Sequence, residues 1–398
     1  MSSIAAIKSI ELEKTQWIDV FILWIVGVFA AMQFAKFSVS YDLLLTAYDV
    51  GASSIGALLS VVGFIGLLFG VVAGVLSGYL GYQKVLIGSL VIGGGLSFIQ
   101  SVLPSYSVLL ITRIIEGISH LGIVVAAPTL MLRSAAKQHY SLVMGLWGTF
   151  FGVAFAIAGW LGSKIILTYG ISGVFLAHAF LSVPLVLYFL LPARKTLNTP
   201  PNINKLTFAS LFTQTIQVYL NPRTFLPGLV FLFHTTMFVA LLTFVPRLSP
   251  DDTTKSLLLI LLPLCSIGGT FLSGALSQYC LRPQNLVFLA YVGVALITYF
   301  VTQFEDSPRY FLLTALLLLL VSGIVQGTAF TLIPALSTTE SEQAMGNGAI
   351  AQLGNLGATV GPPIFAYAID LNGSQGLFFV LTGLCVAGCL VAFISRRY

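Results

Sequence analysis

Arg113, Glu116 and His120 are spaced by three and four residues, so in a helix they share one face. They lie inside an apolar run, where an ionisable side chain costs roughly 2.5–3.5 kcal/mol unless it has a partner, a wet cavity or a task. Counted inward from Ser107 at 1.5 Å per residue, they sit roughly 9, 14 and 20 Å deep. Two kinds of chemistry are open to this set. The guanidinium offers a planar fork that matches a carboxylate-like anion. Glu116 and His120 can exchange a proton, whereas Arg113 stays charged. The plainer alternative is a structural Arg113–Glu116 pair, with His120 satisfied by a backbone carbonyl. Lys36, near the end of the first apolar run, either snorkels to the surface or turns inward and adds a second positive charge beside Arg113.

The second half of the chain offers neutral groups instead. His234 is the one acid or base deep in its apolar runs, joined by Gln326, Gln352 and Asn355. Gln352 and Asn355 are three apart and share a helical face, so they can present paired donors and acceptors to a solute or to a neighbouring helix. His234, among Phe231, Phe233 and Phe238, is equally suited to a packed core. Phe34, Phe37, Trp147, Phe150 and Phe151 are candidates for an apolar lining. The four cysteines, Cys265, Cys280, Cys385 and Cys389, have no histidine or acid beside them, so we expect packing residues and no metal site.

These residues are positioned by apolar runs that only a bilayer accommodates. Of 398 residues, 57% are hydrophobic and 8% charged. A soluble fold of this length lacks the interior to hide so much apolar surface. A spanning helix needs about 20 apolar residues, and the breaks give spans at roughly 17–38, 53–79, 84–103, 107–132, 141–165 and 172–191. The second half gives roughly 225–246, 256–280, 284–303, 310–335, 345–369 and 375–395. The expected organisation is a six-helix bundle over 1–192, a cytoplasmic linker over 193–222 and a second bundle over 223–398. Of the 18 Lys and Arg residues, Lys36 and Arg113 lie within spans, and Lys164, Arg247, Lys255 and Arg309 fall on one side. The rest, including Lys14, Lys84, Arg133, Arg282 and Arg396, fall on the other. Basic loops stay inside, which predicts a multi-pass protein of the cell (inner or plasma) membrane with both termini in the cytoplasm. No signal-peptide core precedes the first run, so that run is expected to remain as a helix.

A fragment recurs about 200 residues on, as internal repeats of transporters do. Gly74-Val75-Leu76-Ser77-Gly78-Tyr79 is similar to Gly274-Ala275-Leu276-Ser277-Gln278-Tyr279, and Met144-Gly145 is similar to Met345-Gly346. The same offset places Leu313, Leu316 and Leu320 opposite Arg113, Glu116 and His120, so charge is confined to the first half. Gly66, Gly70, Gly74 and Gly78 recur every fourth residue, a stripe that lets helices approach closely.

With twelve spans and this repeat, the chain resembles the major facilitator superfamily along essentially its whole length. The loop after span two resembles the family's Gly-x-Leu-x-Asp-Arg-x-Gly-Arg-Lys signature, as Gly74-x-Leu76-Ser77-Gly78-Tyr79-x-Gly81-Tyr82-Gln83-Lys84. Arg113-Ile114-Ile115-Glu116-Gly117 resembles its Arg-x-x-x-Gly signature in span four. The resemblance implies two pseudo-symmetric six-helix bundles, all α-helical, that rock about a shared site, with Gly74, Gly78, Gly81 and Lys84 at the gate. Gly78 and Tyr79 replace the acid and base of the usual latch, so the gate is expected to close without an ion pair. Span five lacks the Gly-Pro pair of many drug/proton antiporters, while Ser141 to Trp147 is similar to cyanate and nitroimidazole transporters.

No Walker loop, Gly-x-Ser-x-Gly or His-Glu-x-x-His is present, which argues against an enzyme, a cofactor site or direct use of ATP. No ring of like charge argues for a channel. No basic stripe with interleaved aromatics argues for nucleic acid. The expected function is secondary active transport of a small organic solute, anionic in preference, by a monomer using protons. Arg113 and Lys36 would hold the anion, Gln352, Asn355, His234 and Gln326 would complete the site, and Glu116 and His120 would carry the proton. Proton-driven drug efflux is the alternative.

Overall fold

The computed structural model describes residues 14–50, 52–191 and 208–398. Long helices follow the apolar runs, because a helix satisfies its own backbone hydrogen bonds where no water can. In chain order they are α1 (Trp17–Val39), the short α2 (Tyr41–Tyr48), α3 (Ala52–Leu80), α4 (Tyr82–Ser101) and α5 (Tyr106–Arg133). Next come α6 (Tyr140–Gly148), α7 (Phe150–Ile157), a π-helical turn at Ala158–Gly162 and α8 (Ser163–Leu190). The second half holds α9 (Phe208–Leu220), α10 (Pro222–Phe244), α11 (Asp252–Tyr279), α12 (Pro283–Gln303), α13 (Pro308–Leu336), α14 (Glu340–Asn372) and α15 (Ser374–Ser395). Of the segment read as a linker, residues 193–207 lie outside those described, as does residue 192 before it.

Among the described residues, ten segments are long and apolar enough to cross a bilayer. One of them, Lys137–Leu190, is 54 residues long and breaks at Gly170, where φ is +68°. The left-handed region favours glycine, and Gly170 supplies the turn that makes this segment two crossings. The 33-residue α14, with Asn347, Gln352 and Asn355 diluting its apolar character, is the twelfth. Proline opens α10, α12 and α13, where its missing N–H costs nothing.

Two large apolar cores result, with two smaller clusters beside them. One gathers Leu23, Val26, Phe29, Leu130 and Trp147 of the first half, the other Val230, Tyr291, Phe311 and Leu381 of the second. Two equivalent contacts stand out where the bundles meet: α3 packs on α14, and α11 packs on α6, while α14 also touches α5 and α13 touches α6. A Cβ at Gly74 would stand 2.8 Å from the Ala344 carbonyl, and one at Gly274 would stand 2.8 Å from Gly145 Cα. The repeated fragments of the sequence are therefore the surfaces through which each bundle meets the other. At these positions any larger side chain would push the helices apart.

Candidate functional site

Three helices of the first bundle each contribute a pair of polar residues three apart: Gln33 and Lys36 from α1, Ser97 and Gln100 from α4, Arg113 and Glu116 from α5. Three-residue spacing keeps each pair on one face, so the pairs converge on one point. Gly93 permits the approach, since a Cβ there would stand 2.6 Å from both Gln33 Nε2 and Ser119 Oγ. All six side chains are buried, with Arg113 and Glu116 wholly inaccessible.

Glu116 is the centre of the cluster. Its Oε1 accepts from Lys36 Nζ at 2.5 Å; its Oε2 accepts from Arg113 Nη1 at 2.5 Å and from Gln100 Nε2 at 3.0 Å. Lys36 therefore turns inward, which decides between the two readings of its position. Its ammonium also donates to Ser97 Oγ at 2.6 Å and stands 3.5 Å from His178 Nδ1. Arg113 donates from Nε to the Leu58 carbonyl at 2.8 Å and from Nη1 to the Gln33 carbonyl at 2.7 Å. Its guanidinium carbon lies 4.0 Å over the Phe37 ring. Among the buried polar atoms, Arg113 Nη2, Gln33 Oε1 and Gln100 Oε1 make no hydrogen bond. Two cations against one carboxylate leave an excess of one positive charge, and Nη2 is the cationic nitrogen without an acceptor.

His178, on α8, completes the cluster and was not among the residues singled out from sequence. Its Nε2 lies 2.9 Å from the Phe29 carbonyl, its Nδ1 lies 2.7 Å from Ser97 Oγ, and its ring stacks on Phe29 at 4.1 Å. A carbonyl only accepts, so Nε2 carries the hydrogen and Nδ1 presents a lone pair to Ser97 and Lys36. The cost of an ionisable residue in a span was the available signal, since Leu181 and Phe180 leave His178 in an apolar run.

His120 stands at the border of the cluster. Its Nδ1 lies 3.1 Å from the Ala30 carbonyl, and its ring meets Phe34 edge-on at 4.9 Å. Phe34 in turn meets Phe151, which is exposed. From the second bundle, Asn355 lies over Gly63 and Gly66 of α3. Trp147 is packing, not lining: it is buried against Gly27 and stacks on Phe150 at 4.5 Å.

The neutral candidates of the second bundle do not bond to the charge cluster. Asn355 Nδ2 donates to the Ala351 carbonyl of its own helix at 2.7 Å. Gln352 accepts from Tyr219 at 2.6 Å, and Gln326 donates across the bundles to the Gly148 carbonyl at 3.2 Å. His234 stacks on Phe238, stands 3.4 Å from Ser322 Oγ and leaves Nε2 unbonded.

At the end of the bundles where α1 begins and α15 finishes, the halves are closed on each other. Gly74 contributes directly, as does Gly70, where a Cβ would stand 2.7 Å from the Gly348 carbonyl. Gly78 approaches only the Tyr82 hydroxyl, Gly81 caps α4 with φ +91°, and Lys84 is exposed. An ion pair nevertheless joins the bundles here, correcting the expectation of a latch without one. Arg133 Nε, at the end of α5, stands 2.8 Å from Glu340 Oε1 at the start of α14, and Tyr82 donates to the Glu340 carbonyl at 3.3 Å. The acid and base missing from α3 have counterparts on other helices.

The Major Facilitator Superfamily model matches residues 23–340 and 248–398. The chain belongs to that superfamily. This major facilitator protein is similar to two probable nitrate transporters, both NarT, from strains of Staphylococcus aureus. One is 30% identical over 104 residues, covering 26% of each chain. The other is 31% identical over 93 residues, covering 23% of each. The matches thus span about a quarter of these relatives. In fold it resembles the human organic anion transporter MFSD10 (TETRAN), with a TM-score of 0.73 at 18% identity, covering 94% of this chain and 98% of that one. It also resembles FucP in the outward conformation, with a TM-score of 0.69 at 16% identity, covering 95% and 99%. The protein is a multi-pass membrane transporter of the major facilitator fold, not an enzyme.

Proposed function

We propose that this transporter moves a small anion by alternating access, with Arg113 and Lys36 holding the anion and Glu116 as its competitor. The observation that carries the reading is the charge imbalance: one buried carboxylate serves two buried cations, and Arg113 Nη2 has no acceptor. A buried cation without full compensation is costly, so an anion that completes the set is bound more strongly than a neutral solute of the same shape. The nitrate and organic anion relatives agree with this in sign. The fucose:proton symporter FucP is a precedent in this fold for proton coupling. Here Glu116 and His120 would take the proton, which weakens the grip of Glu116 on Arg113 as the anion arrives. Both termini would face the cytoplasm of the cell membrane, and the monomer is the working unit.

Proteoliposome uptake tests the proposal, using nitrate, acetate and a lipophilic cation as probes under an imposed pH gradient. The expected result is anion uptake that falls at least tenfold in Lys36→Met and Arg113→Lys, a loss of about 1.4 kcal/mol. Uptake of the cation, unaffected by Arg113→Lys, would overturn the anion reading in favour of drug efflux. Proton flux unchanged in Glu116→Gln would remove Glu116 from the coupling.

A further inference from the structure

α12 and α15 run side by side in the second bundle, and their outer faces leave an apolar groove of about 350 Å³. Phe288, Tyr291 and Ala295 line it from α12, and Cys385, Cys389 and Phe393 from α15. Gly388 holds the helices together at its floor, since a Cβ there would fall against the Tyr291 ring. The Tyr291 hydroxyl is turned away, donating to the Val230 carbonyl at 2.7 Å, so the floor is left without a polar group from that side chain. From Phe288 to Ala295 the groove runs about 10 Å along the helix axis. It ends at a cation: the Arg396 guanidinium lies 4.8 Å over the Phe288 ring and 5.9 Å from the centre of the Phe393 ring. Arg397 follows it, and Arg282 caps the start of α12 at the same end. No acid occurs in Arg282–Asn285 or Ser395–Tyr398.

We propose that this groove is a binding site for one anionic phospholipid, with an acyl chain along α12 and α15 and the phosphate on Arg396. Two independent features point to the same ligand. An apolar trough facing the hydrocarbon takes a chain of methylenes, and a guanidinium at its mouth takes a phosphate through parallel N–H donors. Arginine stacked on two aromatic rings is fixed in place before binding, so little rotamer freedom is lost when the phosphate arrives. Three cations with no acidic side chain in their own two segments favour a net negative headgroup over a zwitterionic one, by about fivefold for each charge that is engaged. The site lies in the second bundle and does not depend on what the first bundle carries.

The test is retention of lipid by the purified full chain, read by native mass spectrometry after equilibration with equal amounts of phosphatidylglycerol and phosphatidylcholine of matched chains. Wild type should keep phosphatidylglycerol in at least about fivefold preference, and Arg396→Ala should lose that preference. Alkylation of the half-buried Cys389 gives a second readout that needs no variant. Bound phosphatidylglycerol should slow it, whereas inorganic phosphate alone should not. Equal retention of the two lipids, or a preference that survives Arg396→Ala, overturns the proposal. So does a Cys389 reaction rate indifferent to phosphatidylglycerol, which would place the lipid elsewhere.

Discussion

Replacing Glu116 by Gln removes the one negative charge that two buried cations share, each at 2.5 Å. Replacing Lys36 by Met removes the surplus cation and leaves Arg113 and Glu116 as a neutral pair, with Gln100 still donating to the carboxylate. Ser97 and His178 remain hydrogen-bonded to each other in that variant. The two substitutions delete the same ion pair yet should differ in cost. Leaving buried charge uncompensated costs about 3–5 kcal/mol. Deleting Lys36 costs a charge-assisted hydrogen bond, about 1.5–3 kcal/mol, partly offset by the desolvation penalty that goes with it. Thermal unfolding in detergent should therefore rank wild type above Lys36→Met, and Lys36→Met above Glu116→Gln. The double variant, with Arg113 alone, should fall above Glu116→Gln. An anion at about a hundred times its Kd should return roughly 2.7 kcal/mol to Glu116→Gln, because only the folded state binds it. Glu116→Gln unfolding at or above Lys36→Met would refute the charge accounting on which the site rests.

Other outcomes follow from the gate and the helix ends. Gly74→Val should insert normally but reduce transport at least tenfold, since its side chain meets the Ala344 backbone; cross-linking between α3 and α14 reports whether that end still closes. Glu340→Gln should shift the open–closed balance by up to about fivefold, because a half-exposed pair contributes about 0.2–1 kcal/mol. High salt should mimic it in wild type and leave the variant unmoved. His178→Gln should weaken anion uptake while sparing membrane insertion; uptake equal to wild type would show that Lys36 needs no support from α8. Asp251 accepts from the Thr254 backbone at 2.8 Å as the N-cap of α11, and these bonds lower its pKa from 3.8. A depressed carboxyl stabilises above its unfolded pKa and loses that contribution as pH falls through the folded value. Protection of the amides at the start of α11, relative to their intrinsic exchange, should accordingly fall below about pH 3.8 and stay unchanged near neutral pH.

The spans were legible because nearly all are predominantly apolar runs of bilayer length, and Gly170 and Gly373 mark reversals that glycine makes cheap. Arg113 and Glu116 were legible because they share one helix, where spacing alone fixes proximity. Lys36 was legible as one of two alternatives, and the rest of the cluster was not. Lys36, Ser97 and His178 lie on three different helices, and no periodicity within one helix reports which face of another it meets. For the same reason spacing alone leaves Gln352 and Asn355 open to a solute or to a neighbouring helix. In the structure the close approach of α3 sets Asn355 against a glycine surface, and Gln352 accepts from Tyr219. The latch shows a further limit. A degenerate signature on α3 was read as a missing ion pair, although Arg133 and Glu340 sit in plain view at the ends of two other helices.

The surplus positive charge has an electrical consequence. On the anion reading, the empty site carries +1 through the reorientation, a site loaded with a monovalent anion and no proton carries none, and a proton taken up with the anion restores the +1. Membrane voltage then acts on the return of the empty carrier and on the protonated loaded step, and leaves a loaded step without the proton nearly untouched. For a full 100 mV across the reorienting charge, the bias is about 2.3 kcal/mol. Exchange of anion for anion, which never passes through the empty form, should be insensitive to voltage if the anion travels without a proton and sensitive to it if the proton travels too.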